Sequence, residues 1–372
     1  MHLARLWLQD FRCYPHAELE LPPGVTVICG ANAQGKTSLL EAVGWAATGK
    51  SFRGVPDAAL VRAGATTAIL RAEVVDDGRV QLLEAEIKAQ GRNRVLLNRN
   101  PLQRRRDLLD LLQVTVFAPD DLQLIKGGPA ARRDYLDDLL VASSPRYEAA
   151  RADFERVLRQ RNALLKSGAR GEDGLSTLEV FDRQLAAAGA ELVRGRRRLL
   201  GRLVPEVSRA YEQLAGDTAP VSATYEAEWI PAGTDDADLG AMLLEALRSR
   251  RRSELDRGVT LAGPHRDEWR LLIGGLDSRT HASQGEQRSL ALALRLGGHR
   301  LCTDLTGSPP VLLLDDVFSE LDQHRAVALV EHLDRGQTLV TTAGPVPHGI
   351  VPDTTLVVDA GVVTDADARR AL

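Results

Sequence analysis

Apolar and polar residues alternate over residues 2–8 and again over 17–21, with turns at Pro15 and at Pro22-Pro23-Gly24. That period of two predicts a pair of half-buried strands. Residues 25–29 are a short apolar run ending at Gly30, which predicts a buried strand, and over 37–47 Leu39, Leu40, Val43 and Ala47 recur at helical spacing. A strand, a glycine-bearing loop and a helix thus follow one another directly. Residues 68–75 and 80–89 read as a hairpin around Asp76-Asp77-Gly78, and 94–97 as a further strand before a turn at 98–101.

The pattern changes near residue 129. From there to 252, Asp, Arg, Leu and Ala dominate and apolar residues recur at three and four: Leu136, Leu139 and Leu140, then Phe154, Val157, Leu158, Leu164 and Leu165. A loop at 168–174 interrupts this, and helical periodicity resumes through 178–214. Two or three long helices folding back on one another are predicted, an antiparallel arm whose helices of about 30 residues would reach roughly 45 Å. Strand-like residues 221–230 and a helix over 237–255 follow. Beyond Leu261 short elements alternate: strand 268–273, helix 286–300, strand 311–314, helix 323–333, strand 337–341 and strand 355–359. The expected organisation is a head in two parts, 1–128 and 256–372, with a helical insertion at 129–255.

Composition changes this picture in two ways. The net charge of −4 means that any contact with nucleic acid must come from local basic patches. Cys13, Cys29 and Cys302 are odd in number and far apart, with no CxxC. That excludes a disulfide framework and a zinc hook at the tip of the arm, and it fits a reducing cytoplasm. No signal-peptide pattern and no long apolar run is present, so no membrane segment is expected.

Three separated clusters carry the chemistry. Gly30-Ala31-Asn32-Ala33-Gln34-Gly35-Lys36-Thr37 satisfies GxxxxGK[ST] in the strand–loop–helix setting a phosphate-binding loop requires. Its backbone N–H groups and the helix N-terminus would cradle phosphate oxygens, Lys36 would reach the β- and γ-phosphates, and the Thr37 hydroxyl would bind Mg²⁺. Val311-Leu312-Leu313-Leu314 delivers Asp315 and Asp316 at a strand end, the first placed to hold Mg²⁺ and the second to orient an attacking water as general base. Ser283-Gln284-Gly285-Glu286-Gln287 opens an amphipathic helix and offers a hydroxyl, a glycine N–H and a helix N-terminus. A chain with a complete phosphate loop has no need of that surface for its own nucleotide. The economical inference is that it caps the γ-phosphate held by a second copy; a simple N-capped helix start is the competing reading.

In this order the pieces resemble the ABC-type ATPase head, with Ser283-Gln284-Gly285-Glu286-Gln287 as signature motif, Asp315-Asp316 as Walker B acids and Ser319-Glu320-Leu321-Asp322 as D-loop. Further segments are similar to the RecF family: Phe11-Arg12, Gly49-Lys50-Ser51-Phe52-Arg53, Phe117-Ala118-Pro119-Asp120-Asp121-Leu122, Gly128-Pro129, Arg132-Arg133 and Gly263-Pro264-His265-Arg266-Asp267. As an ordered set these span nearly the whole chain. The resemblance implies an α/β fold, an ABC-type P-loop ATPase head (mixed sheet with helices) with an inserted α-helical, short antiparallel coiled-coil arm. It also implies a weak, DNA-stimulated ATPase of recombinational repair that dimerises on ATP. Such a protein binds duplex, gapped and single/double-strand junction DNA, and works with RecO and RecR to load RecA. Carried onto this sequence, ATP would contact Gly30, Ala31, Asn32, Ala33, Gln34, Gly35, Lys36, Thr37, Ser38 and Arg12; Mg²⁺ would take Thr37 and Asp315. Asp316 and Lys36, with Ser283 and Gly285 in trans, would act in catalysis.

Two positions depart from the ABC pattern. Asp316 is one methylene shorter than the usual glutamate, and Thr341-Thr342 stands where a histidine switch is expected, so slow turnover is predicted. The Q-loop residue is either Gln113 or Gln123. Arginine clusters at 104–106, 132–133, 194–198 and 250–252 are either solvated, paired faces or a groove for DNA phosphates. Arg12, Lys50 and Arg53 either approach the nucleotide or form surface salt bridges, and residues 265–267 are either a structural turn or a coupling region. The competing functions are an ATP-binding assembly scaffold with negligible turnover and the ATPase subunit of a transporter.

Overall fold

A computed structural model of the chain describes residues 1–102, 106–168, 171–216, 218–231, 234–333 and 336–366. It divides into two compact units: Met1–Asp121 with Gln213–Gly216 and Leu292–Leu372, and Leu122–Glu212 with Asp217–Ala291. Arg104 and Arg105 of the first arginine cluster lie outside the described residues.

The chain opens with β1 (His2–Phe11), β2 (Tyr14–Glu20), β3 (Val25–Cys29) and α1 (Lys36–Thr48). Next come β4 (Thr67–Asp76), β5 (Arg79–Lys88), β6 (Arg94–Leu97), β7 (Asn100–Pro101), α2 (Arg106–Leu111) and β8 (Val114–Phe117). The middle of the chain supplies α3 (Gln123–Lys126), α4 (Pro129–Ser143), α5 (Pro145–Lys166), α6 (Glu172–Ala215), β9 (Val221–Glu226) and α7 (Leu239–Arg257). After these come β10 (Glu268–Ile273), β11 (Leu276–Asp277), α8 (Gln284–Thr306), β12 (Val311–Asp315), α9 (Gln323–Glu331), β13 (Thr338–Thr342), β14 (Thr354–Asp359) and β15 (Val362–Asp365).

In the first unit the alternating strands form one six-stranded antiparallel sheet, β2-β1-β4-β5-β6-β7, and the apolar runs form the other, β15-β14-β3-β13-β12-β8. In the second sheet β14, β3, β13, β12 and β8 are parallel, and only β15 is antiparallel to its neighbour. Parallel strands covered on both faces read as unbroken apolar runs, which is why Val311–Leu314 is buried throughout. The helix α1 packs on strands of both sheets and is buried on nearly every side, Leu39, Leu40, Val43, Trp45 and Ala46 included. Gln337 stitches the sheets together: its amide accepts from the N–H of Leu3 at 2.8 Å and donates to the carbonyls of Leu3 and Leu21 at 2.7 and 3.0 Å.

The second unit is the helical insertion plus the sheet β11-β10-β9. The helices α5 and α6 run antiparallel, since Arg161 meets Asp182, Phe154 meets Gly189 and Tyr147 meets Gly195. The predicted arm is therefore present, but its helices depart from the expected length of about 30 residues on either side: α5 has 22 residues and α6 has 44, about 66 Å long. Helical structure continues through Pro205 to Ala215, beyond the pairing with α5. Arg161 is fully buried between helices, held by Asp182, Glu254 and Thr260 at 2.7, 2.6 and 2.8 Å.

Candidate nucleotide site

The loop from Gly30 to Gly35 joins β3 to α1 in the first unit. Gly35 caps the helix with φ near 115°, where residues with a side chain are strained, and a Cβ there would stand 2.5 Å from Cys13 Sγ and 2.7 Å from Tyr14 Oη. Ala31, Asn32 and Ala33 are exposed, and Ala33 has a positive φ of 64°. Lys36 is buried, its ammonium donating to the carbonyls of Gly30 and Ala31 at 2.8 Å each. Ser38 begins the first turn, its N–H donating to Gly35 O at 2.9 Å.

The acidic pair arrives at the same place. Asp315 Oδ1 accepts from the Thr37 hydroxyl at 2.8 Å and from the Thr341 hydroxyl at 2.9 Å. Burial pushes the Asp315 carboxyl above its ordinary value, against the pull of those two bonds and with a further rise from Asp316. Arg53 lies close enough to lower it. Asp316 takes a left-handed conformation, φ 50°, and its N–H donates to Thr341 Oγ1 at 2.9 Å. The donor set of a threonine hydroxyl and a carboxylate, already in contact, fits Mg²⁺, which prefers few protein oxygens beside water and phosphate oxygens.

Two residues in this arrangement escaped the sequence reading. Thr341, noted in the sequence only as standing at the switch position, is buried, and its hydroxyl holds Asp315 from the adjacent strand, where β12 and β13 pair Asp315 with Thr341. That parallel register is the signal that could have revealed it. Glu41, fully buried on α1, takes Arg12 in a two-pronged ion pair at 2.7 and 2.8 Å and also accepts from the Ser51 hydroxyl. Arg12 is thereby held at the turn whose next two residues abut Gly35.

Other predicted residues are placed elsewhere. Ser283 and Gly285 belong to the second unit, with Ser283 exposed at the N-terminus of α8. Its hydroxyl accepts from the Glu286 N–H at 3.3 Å while the Glu286 carboxylate accepts from the Ser283 N–H at 2.6 Å, a reciprocal capping box. Gln287 fixes the preceding loop through the carbonyls of Ser278 and Arg279. Asp322 of the D-loop caps α9. Gln113 sits before β8 with its side-chain oxygen buried and unbonded, whereas Gln123 is exposed on α3.

In the second unit Asp267 is buried and His265 is half-buried. Asp267 accepts from Tyr225 and Trp229 at 2.8 and 2.9 Å, and burial raises its carboxyl to about 6. His265 donates towards Thr260 O while its Nδ1 is buried without a partner, and burial lowers it to about 4. Among the described residues most clustered arginines are internally paired: Arg132 with Glu268, Arg194 with Glu191, Arg196 with Asp137, Arg197 with Asp236, Arg250 with Glu228 and Arg251 with Asp182.

With the geometry in place, comparison with known proteins is decisive. The model of the RecF/RecN/SMC N-terminal domain matches residues 2–345. The DNA replication and repair protein RecF of Streptomyces avermitilis is 47% identical over 375 residues, covering 98% of this chain and 99% of the relative. The chain belongs to the RecF family. A second RecF, from Kineococcus radiotolerans, is 46% identical over 93% of both chains. Among solved structures, one described as the recombination mediator protein RecF with ATP in the RecFOR pathway superposes with a TM-score of 0.90. It is 30% identical and covers 98% of this chain and 97% of its own. An SMC head domain from Pyrococcus furiosus, 17% identical with a TM-score of 0.57 over 100% of this chain and 97% of its own, shares the fold. This RecF-family chain therefore has the ATPase-head fold with a helical arm, and among its described residues no helix is long and apolar enough to cross a membrane.

Proposed function

We propose that this chain is an ATP-gated DNA clamp of recombinational repair. It binds ATP with Mg²⁺ in the first unit, and two copies close over two nucleotides. The observation that carries this reading is the Thr37–Asp315–Thr341 contact beneath the phosphate loop, because it joins three distant segments at the one place where a metal-bound triphosphate would lie. The related solved RecF, described with ATP and within the RecFOR pathway, supports the nucleotide and a role beside RecO and RecR.

In this mechanism Lys36 leaves the carbonyls of Gly30 and Ala31 and neutralises phosphate charge. Thr37 and Asp315 would hold Mg²⁺, which would supply charge stabilisation at the phosphates. Asp316 orients the attacking water, and Ser283 and Gly285 of a second copy cap the γ-phosphate. The exposed setting of Ser283 and the long 3.3 Å bond of its hydroxyl leave that oxygen accessible. A short Asp316 and the use of Thr341 for holding Asp315 support slow turnover.

Duplex, gapped and junction DNA would meet the arginines that remain unpaired. Arg198, Arg202, Arg248, Arg252 and Arg257 are exposed on α6 and α7 with no ion pair among the described residues. Phosphate contacts of this kind make binding steeply salt-dependent.

Sedimentation of wild type, Lys36→Ala and Ser283→Arg, with and without ATP–Mg²⁺ and gapped DNA, tests the reading. Pairing that requires ATP and is lost in both variants is expected. A wild-type monomer that hydrolyses ATP at full rate would overturn it.

A further inference from the structure

We propose that the turn of the β14–β15 hairpin is a positioning element for the phosphate-binding loop, with Gln34 as its latch, so that nucleotide affinity depends on the C-terminal hairpin. This rests on the ATP reading above, in which the loop's backbone meets phosphate, and adds the Gln34 side chain and the hairpin end, to which that reading gives no role.

Topology brings the two segments together. The strand β14 runs parallel to β3, with Leu356 beside Ile28 and Val357 beside Cys29. Residues 358–361 therefore pass the point where β3 ends and the loop begins. Three contacts follow. The Ala360 N–H donates to Gln34 Oε1 at 2.6 Å. Gly30 lies so close to the Val358 carbonyl oxygen that any Cβ at position 30 would collide with it. A Cβ at Gly361 would stand 2.9 Å from the Cys13 carbonyl oxygen, in the turn that backs Gly35. The first and fifth residues of the loop and the turn behind its sixth all lean on one hairpin end.

The conformation of that end fits a positioning role. Ala360 and Gly361 have φ of 47° and 76°. Two successive positive values are the mark of the tight two-residue turn that favours Asn-Gly or Asp-Gly. Alanine at the first position is strained, and such strain persists where surrounding contacts over-determine it. Here the conformation aims the Ala360 N–H at Gln34. The Gln34 side chain is neutral and is spent on the hairpin rather than on phosphate charge. Apart from the Lys36 bonds to the Gly30 and Ala31 carbonyls, which the mechanism above releases on binding, the loop with its exposed Ala31, Asn32 and Ala33 has few other anchors. An anchored loop binds more tightly because less ordering remains to be done on binding.

The test uses the full chain and three variants: Gln34→Met, which removes the acceptor at similar size, Gly361→Ala, which pushes the turn off Cys13, and the double variant. ATP–Mg²⁺ affinity is measured by titration with a fluorescent ATP analogue, and Tm is measured without nucleotide. Each single change is expected to weaken binding roughly three- to tenfold, the worth of one hydrogen bond. The double variant should be no weaker than the worse single, since both break the same latch. Wild-type affinity in Gln34→Met, or in Gly361→Ala at a lowered Tm, overturns the latch alone, as does full additivity in the double variant. If wild type itself fails to bind ATP, the nucleotide reading falls and the latch with it.

Discussion

Removing Glu41 should damage both the fold and the nucleotide site. Its carboxylate is fully buried on α1 and accepts three hydrogen bonds: Arg12 Nε at 2.7 Å, Arg12 Nη2 at 2.8 Å and the Ser51 hydroxyl. Glu41→Ala strands a guanidinium and a hydroxyl. Losing one partner of a buried ion pair costs about 3–5 kcal/mol. The Arg12 side chain is 19% exposed, so part of its charge can turn to water, and a loss near the low end, about 3 kcal/mol, is expected. That is a large share of the roughly 5–15 kcal/mol that typically holds a domain together. Urea unfolding followed by circular dichroism measures it. The double variant Arg12→Ala, Glu41→Ala should recover part of the loss, because the stranded charge is gone. ATP affinity should fall in Glu41→Ala as the turn behind Gly35 loosens. A Glu41→Ala protein within about 1 kcal/mol of wild type, the worth of an exposed pair, would refute this reasoning, as would a double variant less stable than the single.

Thr341→Val removes the bond to Asp315 and the acceptor for the Asp316 N–H, and should lower hydrolysis about tenfold while raising the Mg²⁺ requirement, as loss of a metal ligand's supporting contact does; steady-state rates across a Mg²⁺ series check it. Gly35→Ala should abolish measurable ATP binding in a titration, and Cys13→Ala should not restore it, because the φ of 115° persists when the thiol is gone. For His265, burial holds the folded-state value at about 4 against the ordinary 6.5, so the unfolded chain takes up the proton first as pH falls. Stability is unaffected above that ordinary value and declines by about 1.4 kcal/mol per pH unit between the two values. Asp267, raised to about 6, acts in the opposite sense, since its penalty is relieved as pH falls below that value. The comparison of wild type with His265→Gln isolates the histidine, and the variant should show a shallower fall in urea midpoint from pH 6.5 to 4.5, a window set by the shifted histidine.

The parts legible in the sequence were those with a strong local period or a short-range motif. The strand predicted at 268–273 coincides with β10, and the strand–loop–helix order around Lys36 holds, with β3 at the predicted 25–29 and α1 one residue longer at each end than the predicted 37–47. The short strand β8 was not predicted. At the candidate site, the roles of Thr341, Glu41 and Ala360 depend on which strands lie side by side, and a linear pattern carries no such register. The arginine clusters show the same limit. Adjacent Arg132 and Arg133 look like a surface patch, yet one is clamped by Glu268 and the other donates to the Asp267 carbonyl at 2.9 Å.

The enclosure of α1 has a mechanical consequence. With both sheets against it and Gln337 tying those sheets to each other, this helix has little freedom to tilt or slide when a ligand arrives. Work done at its N-terminal end is therefore absorbed by peptide rotations in residues 30–35 and by the strand ends around them. The enclosed helix would then act as a fixed datum, and a ligand's arrival would be registered at the rim of the unit rather than in its interior.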